Sequence, residues 1–332
     1  MSIARTDIIW RYPAEISDAS SNGGRMTANI VPKSTTGAIF PNANEAERTA
    51  GSTKYRKLFI HNANDDDLAL LNPRFCIETP TPGADAVVFF PGTQTDTQAS
   101  ITGSENVYGA GYLFAQASPA VNSIQVTTEG ASFNMFRSGM LIRISDKTDP
   151  LSDGFEQFCT ISGTPTYNGN VATIALTTTI VSHTYPANTT KVSSVYQPST
   201  IQTSGSSVVV SSTLGTYNSG TYPIIMDNMG SIEQTWTLTF TSANAFNLVG
   251  NSLGAIGTGT TSADIVPNNT DYTKPYFTMS SAGFGGTFAT SDTIVFTTHP
   301  SSVSIWCKRV IPTNTGSISG NKFTLYIDGE SN

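Results

Sequence analysis

Charge is scarce in this sequence. Asp, Glu, Lys and Arg make up 12% of its 332 residues, against roughly 25% in an ordinary soluble domain. Polarity therefore rests on Ser, Thr, Asn and Gly, a composition that suits strands better than helices. Histidine is limited to His61, His183 and His299. None stands at metal-ligand spacing from a cysteine or another histidine, which argues against zinc. Cysteine is limited to Cys76, Cys159 and Cys307, far apart and odd in number. Their apolar settings (RFCIE, EQFCTI, IWCKR) predict buried free thiols made in a reducing compartment, not a disulfide framework. No apolar run reaches the ~18 residues of a membrane span. The opening MSIARTDIIW lacks the apolar core of a signal peptide, so synthesis in the cytoplasm is expected.

The motifs of common chemistries are missing as well. There is no GxSxG nucleophile elbow and no phosphate-binding loop. GSISGNKF has the glycines, but Asn321 stands where that loop needs its lysine pattern. GFGG lacks the strand–turn–helix setting of a dinucleotide site. No catalytic residue, cofactor or metal ligand is assigned, and an enzyme is not expected. The enzyme class, if represented, would be a wall-degrading hydrolase with two carboxylates facing across a cleft. The loop DKTDPLSDG places Asp146, Asp149 and Asp153 close together, but its spacing is not that of an EF-hand, and a solvated turn is the simpler reading.

The net charge of −7 is unevenly spread. Residues 1–80 hold nine Lys/Arg and nine Asp/Glu, whereas residues 81–332 hold eight and fifteen. No broad positive field exists for a nucleic-acid partner.

What the sequence does have is short alternating strands between Gly, Pro and Asn turns. TWTLTFT puts Trp236, Leu238 and Phe240 on one face and threonines on the other. Strand and turn signals recur every 8–12 residues, the mark of a sandwich or small barrel. The fold class expected is all-β, a multi-module β-sandwich or small β-barrel protein with an extended N-terminal arm. The expected division is an arm over 1–45, an N-terminal β module over 46–120, a small barrel or sandwich over 121–199, and a C-terminal sandwich over 200–332. The arm carries apolar anchors, Trp10 among them, spaced by turn-prone residues. Such a segment cannot build its own core but can dock along another surface.

The densest charge lies in residues 46–73. Arg48, Lys54, Arg56 and Lys57 precede an apolar strand, and Asp65, Asp66 and Asp67 follow it. The basic end is expected to protrude. It reads either as a solvated hairpin or as a contact patch that sets register against a neighbouring subunit. Trp10, Arg48, Lys54, Arg56 and Lys57 are the candidate partner-interface residues.

The same region carries a resemblance. Gly23–Gly24–Arg25, Ile39–Phe40–Pro41, Glu47–Arg48–Thr49–Ala50–Gly51 and Arg56–Lys57–Leu58–Phe59 resemble the N-terminal region of a family of tailed-bacteriophage virion structural proteins. The match covers about a quarter of the chain, and the Thr-rich C-terminal strands are similar in kind to phage tail β-modules. The resemblance implies a particle component, located in the virion, most simply in the tail or baseplate. Its partners would be copies of itself and other virion proteins. A head-decoration or neck protein is the alternative within that class. Outside it stands an adhesin gripping host glycans through Tyr217, Tyr222, Tyr276 and Phe284.

Overall fold

The computed structural model describes residues 2–128, 133–180 and 183–331. Nearly half of the chain is strand and only 4% is helix, so the all-β expectation holds. The first strands are β1 (Ile8–Glu15), β2 (Gly23–Ile30), β3 (Ser52–Asn62), β4 (Leu70–Thr79) and β5 (Ala86–Pro91), with a short helix α1 (Glu45–Ala50) between β2 and β3. Next come β6 (Ala110–Leu113), β7 (Ser123–Thr128), β8 (Leu141–Ser145), β9 (Glu156–Thr160), β10 (Thr166–Asn168), β11 (Val171–Ala175) and β12 (Lys191–Ser194). Then follow β13 (Ser204–Gly205), β14 (Val209–Ser211), β15 (Thr216–Tyr217), β16 (Gln234–Phe240), β17 (Ala245–Gly250) and β18 (Gly254–Thr260). The chain ends with β19 (Asn268–Asn269), β20 (Lys274–Pro275), β21 (Phe284–Gly285), β22 (Thr293–His299), β23 (Ser302–Ile311) and β24 (Thr324–Ser331).

The first module is built from both ends of the chain. Its larger sheet runs β2-β1-β3-β23-β5, and β23 pairs with β3 over ten residues, from Ser302–His61 to Ile311–Ser52. A second layer pairs β24 with β4. Leu58, Ile60, Phe75, Ile77, Phe89, Ile305 and Cys307 fill the space between the layers. Two expectations are corrected here. Residues 1–45 are not an extended arm docked on another subunit: β1 pairs with β3, β2 pairs with β1, and Met26, Val31 and Phe40 are buried. Nor does 200–332 form one C-terminal unit, because β23 and β24 return to the first module. The anchors that suggested docking on a neighbour dock on this chain's own sheet. A run of apolar residues reports that a face is buried, not by which segment.

Gly23 shows how tightly the N-terminal hairpin is seated. Its φ is +113°, and an added Cβ would lie 2.8 Å from both the Asp96 carbonyl oxygen and the Trp306 ring. Only glycine lets the backbone cross that indole in this conformation. The helix α1 starts at a capping box, in which the Asn44 side chain accepts from the Glu47 N–H while Glu47 accepts from the Asn44 N–H. Gly51, with φ of +76°, ends it. The conspicuous sequence stretches of this region are thus turn, cap and core positions of one clasp.

The second module is a seven-stranded antiparallel sheet in the order β10-β11-β7-β6-β12-β8-β9. It coils around Leu113, Val126, Phe136, Ile142, Ile144, Ile174 and Val192. A bridge between Ile161 and Leu176 brings the end of β9 to the end of β11. The expected barrel is not closed, however, and the sheet remains an open path among the described residues. It also begins earlier than expected, since β6 belongs to it. Residues 195–201 then run back along β4 through the bridges Phe75–Tyr196 and Leu70–Ile201.

The third module hangs between that return and β23. Its main sheet runs β13-β22-β16-β17-β18, with β14 also on β22. One face is apolar, with Trp236, Leu238, Phe240, Phe246, Leu248, Ile294 and Phe296 buried. What covers it is not a second full sheet but short pairs, β15 with β21 and β19 with β20, and the bridges Ile225–Thr278 and Ile265–Met279. The sandwich expected here is therefore one sheet beneath an irregular layer. Trp236 donates its indole N–H to Thr298 Oγ1 at 2.9 Å, so its one polar atom is satisfied at zero exposure. All three cysteines are free and buried. Burial pushes the thiols of Cys76 and Cys307 up to about 12, which keeps them protonated and unreactive near neutral pH.

Candidate functional site

The charged residues singled out in the sequence converge on seams inside the molecule. Lys57 does not protrude. Its side chain is fully buried and its ammonium meets the Asp96 carboxylate at 2.6 Å. It also donates to the carbonyls of Gly24 at 2.8 Å and Asp96 at 2.9 Å. Burial lowers the Lys57 pKa, and the Asp96 hydrogen bond and charge oppose that. Asp96 accepts from Trp306 Nε1 as well, at 2.9 Å. One carboxylate thus ties β3, β23 and the loop after β5 together.

Arg56 and Lys54 turn to the N-terminal hairpin. Arg56 pairs with Asp18 at 2.7 Å and donates to the Ser17 carbonyl at 2.9 Å. Lys54 bridges Asp18 at 3.1 Å and Glu47 at 2.6 Å. Burial tends to raise the Asp18 pKa, but Arg56 and Lys54 bring it below the ordinary carboxylate value. Arg48 donates to the Ala43 carbonyl at 3.0 Å, closing α1 on itself. The Trp10 ring is half-buried, 5.5 Å from that of Phe75. The expected protruding basic patch is therefore drawn inward, because each ammonium or guanidinium has acidic or carbonyl partners on its own chain. Asp18 is half exposed, so its pairs are screened. Asp18→Asn should lower stability by about 1 kcal/mol or less, read from the shift in the urea midpoint.

The acidic turn after β3 is engaged within the chain as well. Asp67 accepts from the Asn228 N–H at 2.7 Å, and Asp65 lies 3.4 Å from Lys274, which also approaches Asp227. The turn after β3 therefore grips the third module. Beside it, His61 has zero exposure. Its Nδ1 accepts from Arg11 Nε at 2.7 Å, and its Nε2 faces the Asn228 carbonyl at 2.7 Å. That pairing fixes the neutral tautomer with the proton on Nε2. Burial is the main cause that pulls the His61 pKa down to about 4.

A third seam joins the first and second modules. Glu78 on β4 is buried and pairs with Arg143 on β8 and with Lys191 on β12, the latter at 2.6 Å. Arg143 reaches Glu156 at 2.8 Å, and Lys147 reaches Glu156 at 3.0 Å. The Arg143 guanidinium lies 4.8 Å from the Tyr326 ring centre, which brings β24 into the same cluster. Burial works against the Arg143 charge, yet Glu78 and Glu156 hold its pKa above the ordinary arginine value. Nothing in the sequence marked Glu78 or Lys191, which stand 113 residues apart.

The remaining candidates are placed as follows. Asp146 accepts from the Phe155 N–H at 2.6 Å and pairs with His183 at 2.7 Å, while Asp149 caps the Leu151 N–H at 2.9 Å. Two of the three carboxylates in that loop thus organise the loop itself. No group of three or more potential metal ligands occurs among the described residues. Tyr217, Tyr222, Tyr276 and Phe284 pack onto the third core and do not form the exposed platform expected of a glycan grip. An open depression of about 510 Å³ lies beside the junction of the first two modules, lined by residues that include Tyr108, Arg137, Met140 and Tyr196. No protein-family model, curated protein or solved structure matches this chain.

Proposed function

We propose that this chain is a structural subunit of a tailed-phage virion, placed in the tail or baseplate and assembled with copies of itself and other virion proteins. The observation that carries this reading is how the buried charge is used. Lys57 with Asp96, Arg11 with His61, and Glu78 with Arg143 and Lys191 all sit on seams between distant segments or modules. Charges placed there lock relative positions, because a displaced partner would leave an unpaired ion in a low-dielectric interior. A rigid multi-module body suits a part repeated many times in a particle, where small errors of shape would accumulate. The N-terminal clasp, which carries the resemblance to virion proteins, supports the same reading.

The test is to purify particles from the host that makes this protein and locate the chain by antibody-labelled electron microscopy. Label at repeated positions on the tail or baseplate is expected. Label on the head or neck would move the subunit to that part of the particle. Particles that lack the chain altogether would end the proposal.

A further inference from the structure

We infer that the outer face of the third module's sheet is a contact surface on which a second copy of this chain packs, two-fold and face to face. The inference rests on the assembly reading above and names the surface that would serve it.

The inner face of this sheet is covered by its own module, and the outer face is open. The register places Val209 opposite Val295, Val295 opposite Thr237, Thr237 opposite Val249, and Val249 opposite Ala255. Direct antiparallel partners project to the same side. These five residues therefore form one row across the whole width of the sheet. Val209 is 57% exposed and Val249 is 37% exposed. The rows on either side are formed by threonine, serine and asparagine. None of β13, β14, β16, β17, β18 or β22 contains Asp, Glu, Lys or Arg, and His299 at the margin is paired with Glu233. A sheet face open to water ordinarily carries interspersed charge, which keeps it from sticking. The strands of this face carry none, and the one carboxylate at its margin, Glu233, is paired with His299.

The choice of occupant follows from charge and area. Residues 81–332, which contain the third module, carry eight basic and fifteen acidic residues, so contacts between two copies through the charged surface of this part bring carboxylates together more often than they pair opposite charges. Apposing the two neutral faces avoids that. Identical rows of β-branched side chains and hydroxyls are self-complementary, as a two-fold contact requires. Five strand widths of about 4.8 Å and about seven residues of 3.3 Å give about 550 Å² per copy, or about 1,100 Å² per pair, which clears the ~1,000 Å² needed of a biological interface and stands just below the ~1,200 Å² of standard ones.

The experiment is sedimentation equilibrium of the full chain, above micromolar concentration, for the wild type and for the double variant Val209→Lys, Val249→Lys. Both positions point outward near the two edges of the sheet, so melting temperature should be unchanged. The wild type should sediment at twice its 35.2 kDa, and the variant should dissociate with at least a ~100-fold weaker Kd, because buried like charges cost several kcal/mol. Asn247→Lys gives the same reading if the double variant misfolds. A monomeric wild type overturns the inference, as does a folded lysine variant that stays dimeric. Dimerisation lost with Thr258→Pro on the edge strand β18, but retained with the lysines, would move the contact to that edge and also overturn it. A monomeric chain still present in purified particles would sink this surface alone; absence from particles would sink the assembly reading.

Discussion

Glu78→Ala should cost about 3–5 kcal/mol, the range found when one partner of a buried ion pair is removed. Glu78 is the anion shared by Arg143 and Lys191, all three side chains being 6% exposed or less. Its loss leaves two cations in the seam with only the partly exposed Glu156 near one of them. Desolvation of those cations is no longer offset, and the modules can relieve it only by parting and admitting water. The urea midpoint should fall accordingly, and amide exchange should rise first in β4, β8 and β12. A second variant separates charge from packing. Replacing Glu78, Arg143 and Lys191 together with methionine removes the ions and their desolvation penalty at once, and should recover much of the lost stability. A Glu78→Ala protein that loses less than about 1 kcal/mol would contradict the burial on which the seam depends. A triple variant less stable than the single one would show that the ions contribute more than they cost.

These seams explain what the sequence made legible and what it did not. Alternation in TWTLTFT reported the faces of β16 correctly: Trp236, Leu238 and Phe240 are buried and the threonines half exposed. Apolar context likewise marked Cys76, Cys159 and Cys307 as buried. Periodicity, however, reports which face of a strand is covered and is silent about the covering segment. The pairing of β3 with β23 joins residues about 240 to 260 positions apart, and nothing local announces it. The basic cluster failed for a related reason. Lys57 next to Arg56 reads as a wet strand end when its neighbours are considered alone. Its partner, Asp96, lies 39 residues away in a loop whose course depends on the finished sheet. The acidic turn was conspicuous as a turn, but its grip on Asn228 and Lys274 requires the third module to be in place. Local chemistry was readable in each case; the long-range match that gives it a role was not.

Lowering the pH from 7 towards 4 should weaken the protein by about 3 kcal/mol through His61 alone. In the unfolded chain this histidine titrates near 6.5, whereas in the folded chain burial holds its pKa down to about 4. The unfolded state therefore takes up a proton that the native state refuses. The sign follows directly: the contribution is complete above pH 6.5, declines as the pH falls, and is gone below about 4. The structural cause is specific. Protonation would place a hydrogen on Nδ1, where the Arg11 Nε–H already points at 2.7 Å, and would add a second positive charge beside that guanidinium. The Asn228 carbonyl and Asp227 favour the charged form, but burial, with Arg11, outweighs them. Tyr272 packs edge-on against the imidazole at 6.0 Å and under Arg11 at 4.9 Å, which excludes water from the site. Asp67, whose pKa burial raises, works in the opposite sense, so a comparison between variants is needed to isolate the histidine. His61→Gln retains an acceptor for Arg11 and a donor for the Asn228 carbonyl but does not titrate. Urea midpoints measured between pH 7.5 and 4.5 should fall more steeply for the wild type than for His61→Gln, by up to about 1.4 kcal/mol per pH unit near the middle of the window. Parallel slopes would mean that His61 takes up its proton without breaking the junction between the first and third modules.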